Sequence, residues 1–158
     1  MSAYVALGSN LDDPRQQVLD AIRALGELPA TRVLQQSHLY RTPPWGVLDQ
    51  PMFINAAVKL DTPLEPHALL AALFRIEQDA GRVRAQRNGP RTLDLDLLYV
   101  DGVEMNDVQL VLPHPRLTER AFVLLPLNDI APMLHIPGKG LVAQLLTQLD
   151  LAGCERLI

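Results

Sequence analysis

Apolar and polar positions recur along the chain at several distinct periods, and each period predicts an element. Ala3–Leu7 is a short apolar run closed by Gly8, as expected of a buried strand. Asp13-Pro14 opens a helix, with Asp13 at the N-cap and Pro14 at the first helical position. Val18, Ile22 and Leu25 form its apolar stripe, and Gly26 stops it. Arg32–Tyr40 reads as a second strand. Thr42-Pro43-Pro44-Trp45-Gly46 cannot continue it, because proline lacks an N–H and constrains the residue before it. Met52–Leu60 alternates: Ile54, Ala56, Val58 and Leu60 point one way, and Phe53, Asn55, Ala57 and Lys59 the other. Pro66 opens a second helix with Leu69, Leu73, Ile76 and Ala80 on one stripe, closed by Gly81.

A loop from Gly81 to Arg91 follows, then a strand over Thr92–Val100. Asp101-Gly102 predicts a hairpin turn with Val103–Met105 as the return strand. Leu117–Leu125 and Gly140–Leu149 read as C-terminal helices. The order β-α-β-β-α-β predicts an α+β fold, a ferredoxin-like antiparallel sheet with helices on one face. The hairpin and C-terminal helices extend the sheet and cover more of it, giving α/β/α layers.

Composition narrows the class. A length of 158 residues predicts a single domain spanning 1–158 with room for a real core. Apolar residues make up 48% and charged residues 20%, which excludes a disordered chain. The single cysteine, Cys154, excludes a disulfide scaffold and a cysteine-based zinc site, and fits a reducing compartment. No apolar run approaches the ~20 residues of a membrane span, and Met1–Tyr4 lacks the basic start of a secretory leader. A net charge of −4 argues against nucleic acid as a partner. The expectation is a soluble, cytoplasmic protein, a monomer acting on small molecules.

The sharpest chemical signal is Asp94-Leu95-Asp96. Residues two apart on a strand face the same side, roughly 7 Å apart at ~3.3 Å per residue. Leu93, Leu95 and Leu97 then face a core. Two hard oxygen donors at this spacing suit Mg²⁺, which takes one or two carboxylates plus water and phosphate oxygens. Two ordinary aspartates on a solvated strand fit the pattern as well. The segment before them carries Arg82, Arg84, Arg87 and Arg91 on a run flexed by Gly81, Gly89 and Pro90. Guanidinium forks match phosphate oxygens. Alone this is a solvated loop; leading into a carboxylate pair, it suggests a nucleoside triphosphate bridged by Mg²⁺. No P-loop motif is present, and Pro137-Gly138-Lys139-Gly140 has the wrong spacing for one. Residues 82–90 have few core-forming side chains, which predicts a mobile loop that closes over bound substrates.

Phe53 and Asn55 share a strand face, where a ring to stack on and an amide to pair with suit a flat heterocycle; a half-buried Phe beside a sheet-edge Asn is the plain alternative. Glu77 borders the second helix's apolar stripe, where pairing with an arginine is its simplest role. His114 sits in the stiff Leu112-Pro113-His114-Pro115-Arg116 loop, while His38, His67 and His135 form no metal spacing. Gly8-Ser9-Asn10 is a tight turn at a strand end.

Taken in order, Gly8-Ser9-Asn10-Leu11, Tyr40-Arg41-Thr42-Pro43-Pro44, Phe53-Ile54-Asn55, Gly81-Arg82-Val83-Arg84, Gly89-Pro90-Arg91-Thr92-Leu93-Asp94-Leu95-Asp96 and Pro113-His114-Pro115-Arg116 resemble the 6-hydroxymethyl-7,8-dihydropterin pyrophosphokinase family, from about Ala3 to Pro132. The resemblance implies transfer of pyrophosphate from ATP to the pterin hydroxymethyl group, leaving AMP. It implies that Asp94 and Asp96 hold two Mg²⁺ ions, with Asp94 also facing the pterin. Arg82, Arg84 and Arg91 would contact the ATP phosphates, and Glu77, Leu97 and His114 would line the ATP side. Thr42, Pro43, Pro44, Trp45 and Asn55 would read the pterin edge. Phe53 and Phe122 would sandwich its ring, with Arg120 near the active center. Phe74, Asn88, Gln109 and Val111 depart from the polar, aromatic, basic and hydroxyl residues that other members can carry there.

Two rival classes stay open at this stage. A Mg-dependent nucleotidyltransferase also pairs a Gly-Ser turn with two strand aspartates, but releases pyrophosphate instead of AMP. A non-catalytic ferredoxin-like ligand-binding domain needs no carboxylate pair.

Overall fold

The computed structural model describes residues 1–44, 49–81 and 93–157. Trp45, the expected loop over 82–90, and Arg91 therefore lie outside the described residues. The elements are β1 (Ser2–Ser9), α1 (Pro14–Gly26), β2 (Arg32–Gln36), β3 (Tyr40–Thr42), β4 (Phe53–Asp61), α2 (Pro66–Asp79), β5 (Asp94–Val100), β6 (Met105–Asn106), β7 (Val111–Leu112), α3 (Ala121–Ile130), β8 (His135–Ile136), β9 (Gly140–Leu141), α4 (Val142–Leu146) and β10 (Glu155–Arg156). The main sheet is antiparallel, ordered β10-β3-β4-β1-β5, and β2 also pairs with β4. The β-α-β-β-α-β order is present with its second strand divided in two. Among the described residues no helix is long and apolar enough to cross a membrane.

The predicted period-2 patterns decide which side each strand shows to which helices. Ala3, Val5 and Leu7 of β1, Ile54, Ala56, Val58 and Leu60 of β4, and Leu95 and Leu97 of β5 share one core with Val18, Ile22 and Leu25 of α1 and Leu69 and Leu73 of α2. Tyr4, Ala6, Ala57, Leu98 and Tyr99 form a second core with Val123, Leu124, Leu127 and Ile130 of α3. A bulge opposite Tyr4 and Val5 shifts the β5 register, so Leu98 and Tyr99 both join this second core. The Asp13 carboxylate accepts from the Gln16 N–H, the N-cap expected from Asp13-Pro14. At the chain end β10 pairs with β3, Arg41 and Glu155 form an ion pair, and Gly153 lies against Pro43. A Cβ at Gly153 would come within 2.9 Å of Pro43 Cγ, and its φ of +81° already disfavours other residues.

Four expected elements are corrected. The strand over Arg32–Tyr40 breaks at Ser37-His38-Leu39. There the Ser37 hydroxyl accepts from the Ala57 N–H at 2.9 Å, and the His38 N–H turns to the Asp129 carboxylate at 3.1 Å. Side chains thus replace part of the ladder. Val103–Met105 is not a return strand on β5. Asp101-Gly102 does turn, but the hairpin that follows is β6 with β7, closed by Asp107, whose carboxylate accepts the Gln109 and Leu110 N–H groups at 2.9 and 2.8 Å. Leu117–Leu125 is a 3-10 turn (Leu117–Glu119), an extended Arg120, and then α3, which runs through Pro126 to Ile130. An interior proline costs a helix about 3 kcal/mol; burial of Val123, Leu124, Leu127 and Ile130 outweighs it. Gly140–Leu149 is not one helix: Gly138 and Gly140, both at positive φ, close the β8–β9 hairpin, and α4 starts only at Val142.

Candidate active site

The middle of the sheet is short of bulk on the α3 side. On β1, Tyr4, Ala6 and Gly8 shrink toward the strand's end. Ala6 lies between Ala57 and Asp96 across the sheet, and Gly8 between Asn55 and Asp94. A Cβ on Gly8 would meet the Asn55 Oδ1 at 2.6 Å, so glycine is what lets that amide lean over the strand. The Asn55 Nδ2 donates to the Thr42 hydroxyl oxygen at 2.5 Å, and both side chains are buried. This floor and its walls enclose a cleft of about 550 Å³, open mouth included, lined by Ala6, Leu7, Gly8, Thr42, Pro43, Phe53, Asn55, Asp94, Asp96, Arg120, Phe122 and Val123. Phe53 rises from β4, and Phe122 stands opposite on the first turn of α3.

A second, more open cleft of about 770 Å³ lies beyond the same two aspartates. β5 is the sheet's edge, so both sides of the strand reach it: Asp94 and Asp96 as well as Leu95 and Leu97. Leu70 and Phe74 of α2, the 107–111 turn, His114 and Pro115 complete it. Asp94 and Asp96 are thus the wall shared by two compartments.

Asp96 sits between two nitrogen-bearing side chains. Arg120 Nη1 is 4.0 Å from Oδ2, and His114 Nε2 is 4.0 Å from Oδ1. The Arg120 guanidinium also lies 5.6 Å from the Phe122 ring centroid, a cation–π contact that holds both against α3. Burial first, then the Arg120 and Arg116 charges, push the His114 pKa down to about 4 against the opposing pull of Asp94. The Asp96 contact favours a charged ring, but burial and the arginines win, and the ring is neutral at pH 7. The Arg116 N–H donates to His114 Nδ1 at 3.2 Å, so the proton resides on Nε2, toward Asp96. The His114 N–H donates to the Leu98 carbonyl at 2.8 Å, tying the loop to β5. Glu77 is buried behind the strand, where its Oε2 accepts the Leu95 N–H at 2.8 Å. That bond fixes the outer edge of β5 between the two aspartates.

The structure brings Thr42, Pro43, Phe53, Asn55, Asp94, Asp96, Arg120 and Phe122 around the first cleft, and Asp94, Asp96, Leu97 and His114 around the second. Pro44 and Glu77 line neither cleft. Trp45, Arg82, Arg84 and Arg91 are outside the described residues. Sequence reasoning did not pick out Ala6, Val123 or Leu70, and in the 107–111 turn it marked only Gln109 and Val111, as departures from the family. The falling side-chain size at Tyr4, Ala6 and Gly8 was the signal for the cleft floor.

As a donor set the two carboxylates fit Mg²⁺. Among the described residues no group of three or more His, Cys, Asp or Glu could hold a metal ion, so no all-protein cage exists there. Mg²⁺ needs none, because it retains water and takes substrate phosphate oxygens.

The family model for 7,8-dihydro-6-hydroxymethylpterin-pyrophosphokinase (HPPK) matches residues 4–132, a span that contains both clefts. The chain belongs to the HPPK family. It is 48% identical over 155 residues to the 2-amino-4-hydroxy-6-hydroxymethyldihydropteridine pyrophosphokinase of Methylorubrum extorquens, covering 98% of each chain. It is 47% identical over 154 residues to the enzyme of the same name from Pseudomonas aeruginosa, covering 98% of this chain and 95% of that one. A crystal structure of Plasmodium falciparum HPPK-DHPS superposes with a TM-score of 0.72 at 15% identity, covering 98% of this chain. The chain spans 47% of that solved protein, and the likeness concerns the fold. The HPPK match ends at residue 132, so β8, β9, α4 and β10 lie beyond it.

Proposed function

We propose that this HPPK-family chain transfers pyrophosphate from ATP to the hydroxymethyl group of 6-hydroxymethyl-7,8-dihydropterin, giving AMP and the pterin diphosphate, a step in folate synthesis. The observation that carries this reading is the Asp94–Asp96 pair standing on the wall between two clefts. One cleft is narrow, aromatic and amide-edged. The other is open and has the 107–111 turn and His114 at its rim.

The pterin ring fits between Phe53 and Phe122, with Asn55 and Thr42 at its edge. Asn55 is already oriented by Thr42 and by the room above Gly8, so little ordering remains on binding. ATP occupies the second cleft, with Leu97 and His114 beside it and Arg82, Arg84 and Arg91 as phosphate ligands. Asp94 and Asp96 hold two Mg²⁺ ions, whose charge would offset that of the transferring group. Arg120 supplies a fixed cation beside Asp96 on the pterin side. His114 is a poor candidate for a general base: its Nδ1 is occupied by the Arg116 N–H, and its pKa lies far below neutrality. The protein's task is to hold the pterin hydroxyl in line with the β-phosphorus and to stabilise charge. The chain works as a single-domain monomer on these small molecules.

The test is to incubate the protein with ATP, Mg²⁺ and the pterin alcohol and identify the nucleotide product. AMP is expected. Pyrophosphate release would mean a nucleotidyltransferase, and no turnover would mean a binding domain.

A further inference from the structure

The Tyr40-Arg41-Thr42-Pro43-Pro44 run contributes to the first cleft from Thr42 onward, yet Tyr40 is the more deeply built-in aromatic. It is 6% exposed and pairs across the sheet with Asn55. Cross-strand partners share a side, so Tyr40, Asn55 and, two residues on, Thr42 all face α3. The Tyr40 hydroxyl donates to the Asp129 Oδ1 at 2.8 Å. The other carboxylate oxygen accepts the His38 N–H at 3.1 Å and lies 3.2 Å from the His38 Nδ1. One carboxylate on α3 therefore holds both His38 of the break and Tyr40 at the start of β3.

The location of this knot matters more than its strength. Asp129 lies seven residues after Phe122, two helical turns along the same stripe of α3. β3 and the residue after it supply Thr42 and Pro43 to the lining of the first cleft, and α3 with its N-cap supplies Arg120, Phe122 and Val123. The apolar contacts of Val123, Leu124, Leu127 and Ile130 press α3 onto the sheet but are non-directional. A hydrogen bond has a preferred length and angle. Burial and the Asp129 carboxylate push the Tyr40 phenol up to about 12, so it remains a donor at all working pH.

We propose that Tyr40 and Asp129 act as a spacer between β3 and α3 that sets the width of the aromatic slot, making both positioning residues for the flat ring substrate. The proposal rests on the pterin reading of that slot. Its consequence is specific: loosening the spacer should weaken capture of the ring and leave the nucleotide compartment alone, because Asp94, Leu97 and His114 lie on β5 and the loop after β7.

Tyr40→Phe keeps the ring and its burial and removes only the hydroxyl. The pterin KM should rise about tenfold, as expected for a hydrogen bond to a charged acceptor. The ATP KM and kcat should stay within about twofold of wild type, the scale of effects below 0.5 kcal/mol. Asp129→Asn keeps size and one acceptor oxygen, and should shift the pterin KM in the same direction by less. The Tyr40→Phe/Asp129→Asn double variant should shift the pterin KM by less than the two single shifts combined, because both changes act on the Tyr40–Asp129 bond. Lowered thermal stability with an unmoved pterin KM in both single variants would overturn the spacer and leave a purely structural knot. Wild type runs in parallel: if it releases no AMP from ATP and the pterin alcohol, the reading of the slot falls and the spacer with it. Normal wild-type turnover with unmoved KM values refutes the spacer alone.

Discussion

On the α1/α2 side of the sheet, β1 presents Ala3, Val5 and Leu7, and their partners on β4 and β5 are apolar and buried. On the α3 side the same strand presents Tyr4, Ala6 and Gly8, and burial gives way to a cleft as the residues shrink. β5 repeats the contrast within three residues: Leu95 is 3% exposed in the first core, while Asp94 and Asp96 on either side of it are half-buried in the cleft wall. The closed face supplies stability through apolar area removed from water. The open face spends two adjacent like charges and a missing side chain at Gly8, both of which weaken a sheet considered alone. Rules that favour folding are broken mainly on the side with chemistry, while the closed side admits one buried carboxylate, Glu77, which accepts the Leu95 N–H.

The largest expected effects come from substituting across this divide. Asp94→Asn and Asp96→Asn should each lower kcat/KM on the order of a hundredfold to a thousandfold, the scale for removing one group aimed at transition-state charge. Urea denaturation of the free protein should change far less than turnover, because Asn keeps the size of a half-buried side chain. Asp96→Asn should be the more costly of the two, because it also removes the partner of Arg120. Near-normal turnover at saturating Mg²⁺ would refute the metal assignment. Leu73→Ala on the opposite face should reverse the pattern. Leu73 is fully buried between α2 and the sheet, so its truncation should cost about 2–5 kcal/mol of stability. Pterin and ATP KM values should hold as long as the protein stays folded; a selective loss of one substrate would mean that the closed face is not energetically separate from the site.

His114 links the two kinds of behaviour, because it is a titratable group that the fold keeps neutral. Its pKa is about 4 folded against 6.5 unfolded. Between these values the unfolded chain binds the extra proton, so stability increases with pH. The contribution is fully present above pH 6.5 and is lost as pH falls from 6.5 toward 4. Over that window it amounts to about 3 kcal/mol at most. His114→Asn should flatten this part of the stability–pH curve, measured by urea titration at pH 7 and pH 4.5. Equal slopes for the two proteins would show that His114 titrates normally.

The closed face was legible in the sequence because its signal is periodic. Val18, Ile22 and Leu25, and the alternation from Ile54 to Leu60, state their direction without outside help. The carboxylate pair was legible for the same reason, as two residues apart on a strand. Elements held by side-chain bonds were not legible. Nothing local to Ser37-His38 announces that Asp129, about ninety residues on, will take the backbone N–H and end the strand. The expected helix ends at Leu125, whereas α3 continues through Pro126 to Ile130 because Leu127 and Ile130 are buried beyond it. The Asx-type closure at Asp107 competed with the stronger hairpin signal at Asp101-Gly102 and won because it brings Leu110 and Leu112 into the first core. Glu77 read as a partner for arginine; its bond to the Leu95 N–H arises only because β5 is an edge strand with an outward N–H to satisfy.

The smallest expected effect tests whether the open face is divided into two compartments. Phe53 lines the first cleft and is absent from the second, whereas the aspartates line both. It is only half-buried, so truncation leaves little of the cavity that a core phenylalanine would leave. Stacking a flat ring on an aromatic side chain is worth about 1–3 kcal/mol. Phe53→Ala should therefore weaken pterin binding by about fivefold to a hundredfold on that scale. ATP affinity, measured by titration in the absence of pterin, should not move. The Asp96 variant is the control for the opposite case, since a residue on the shared wall should disturb both ligands. If Phe53→Ala weakened pterin and ATP equally, the two clefts would behave as one cavity, and the ring would have to be placed elsewhere. If it weakened neither while lowering stability, Phe53 would belong with the closed face despite pointing away from it.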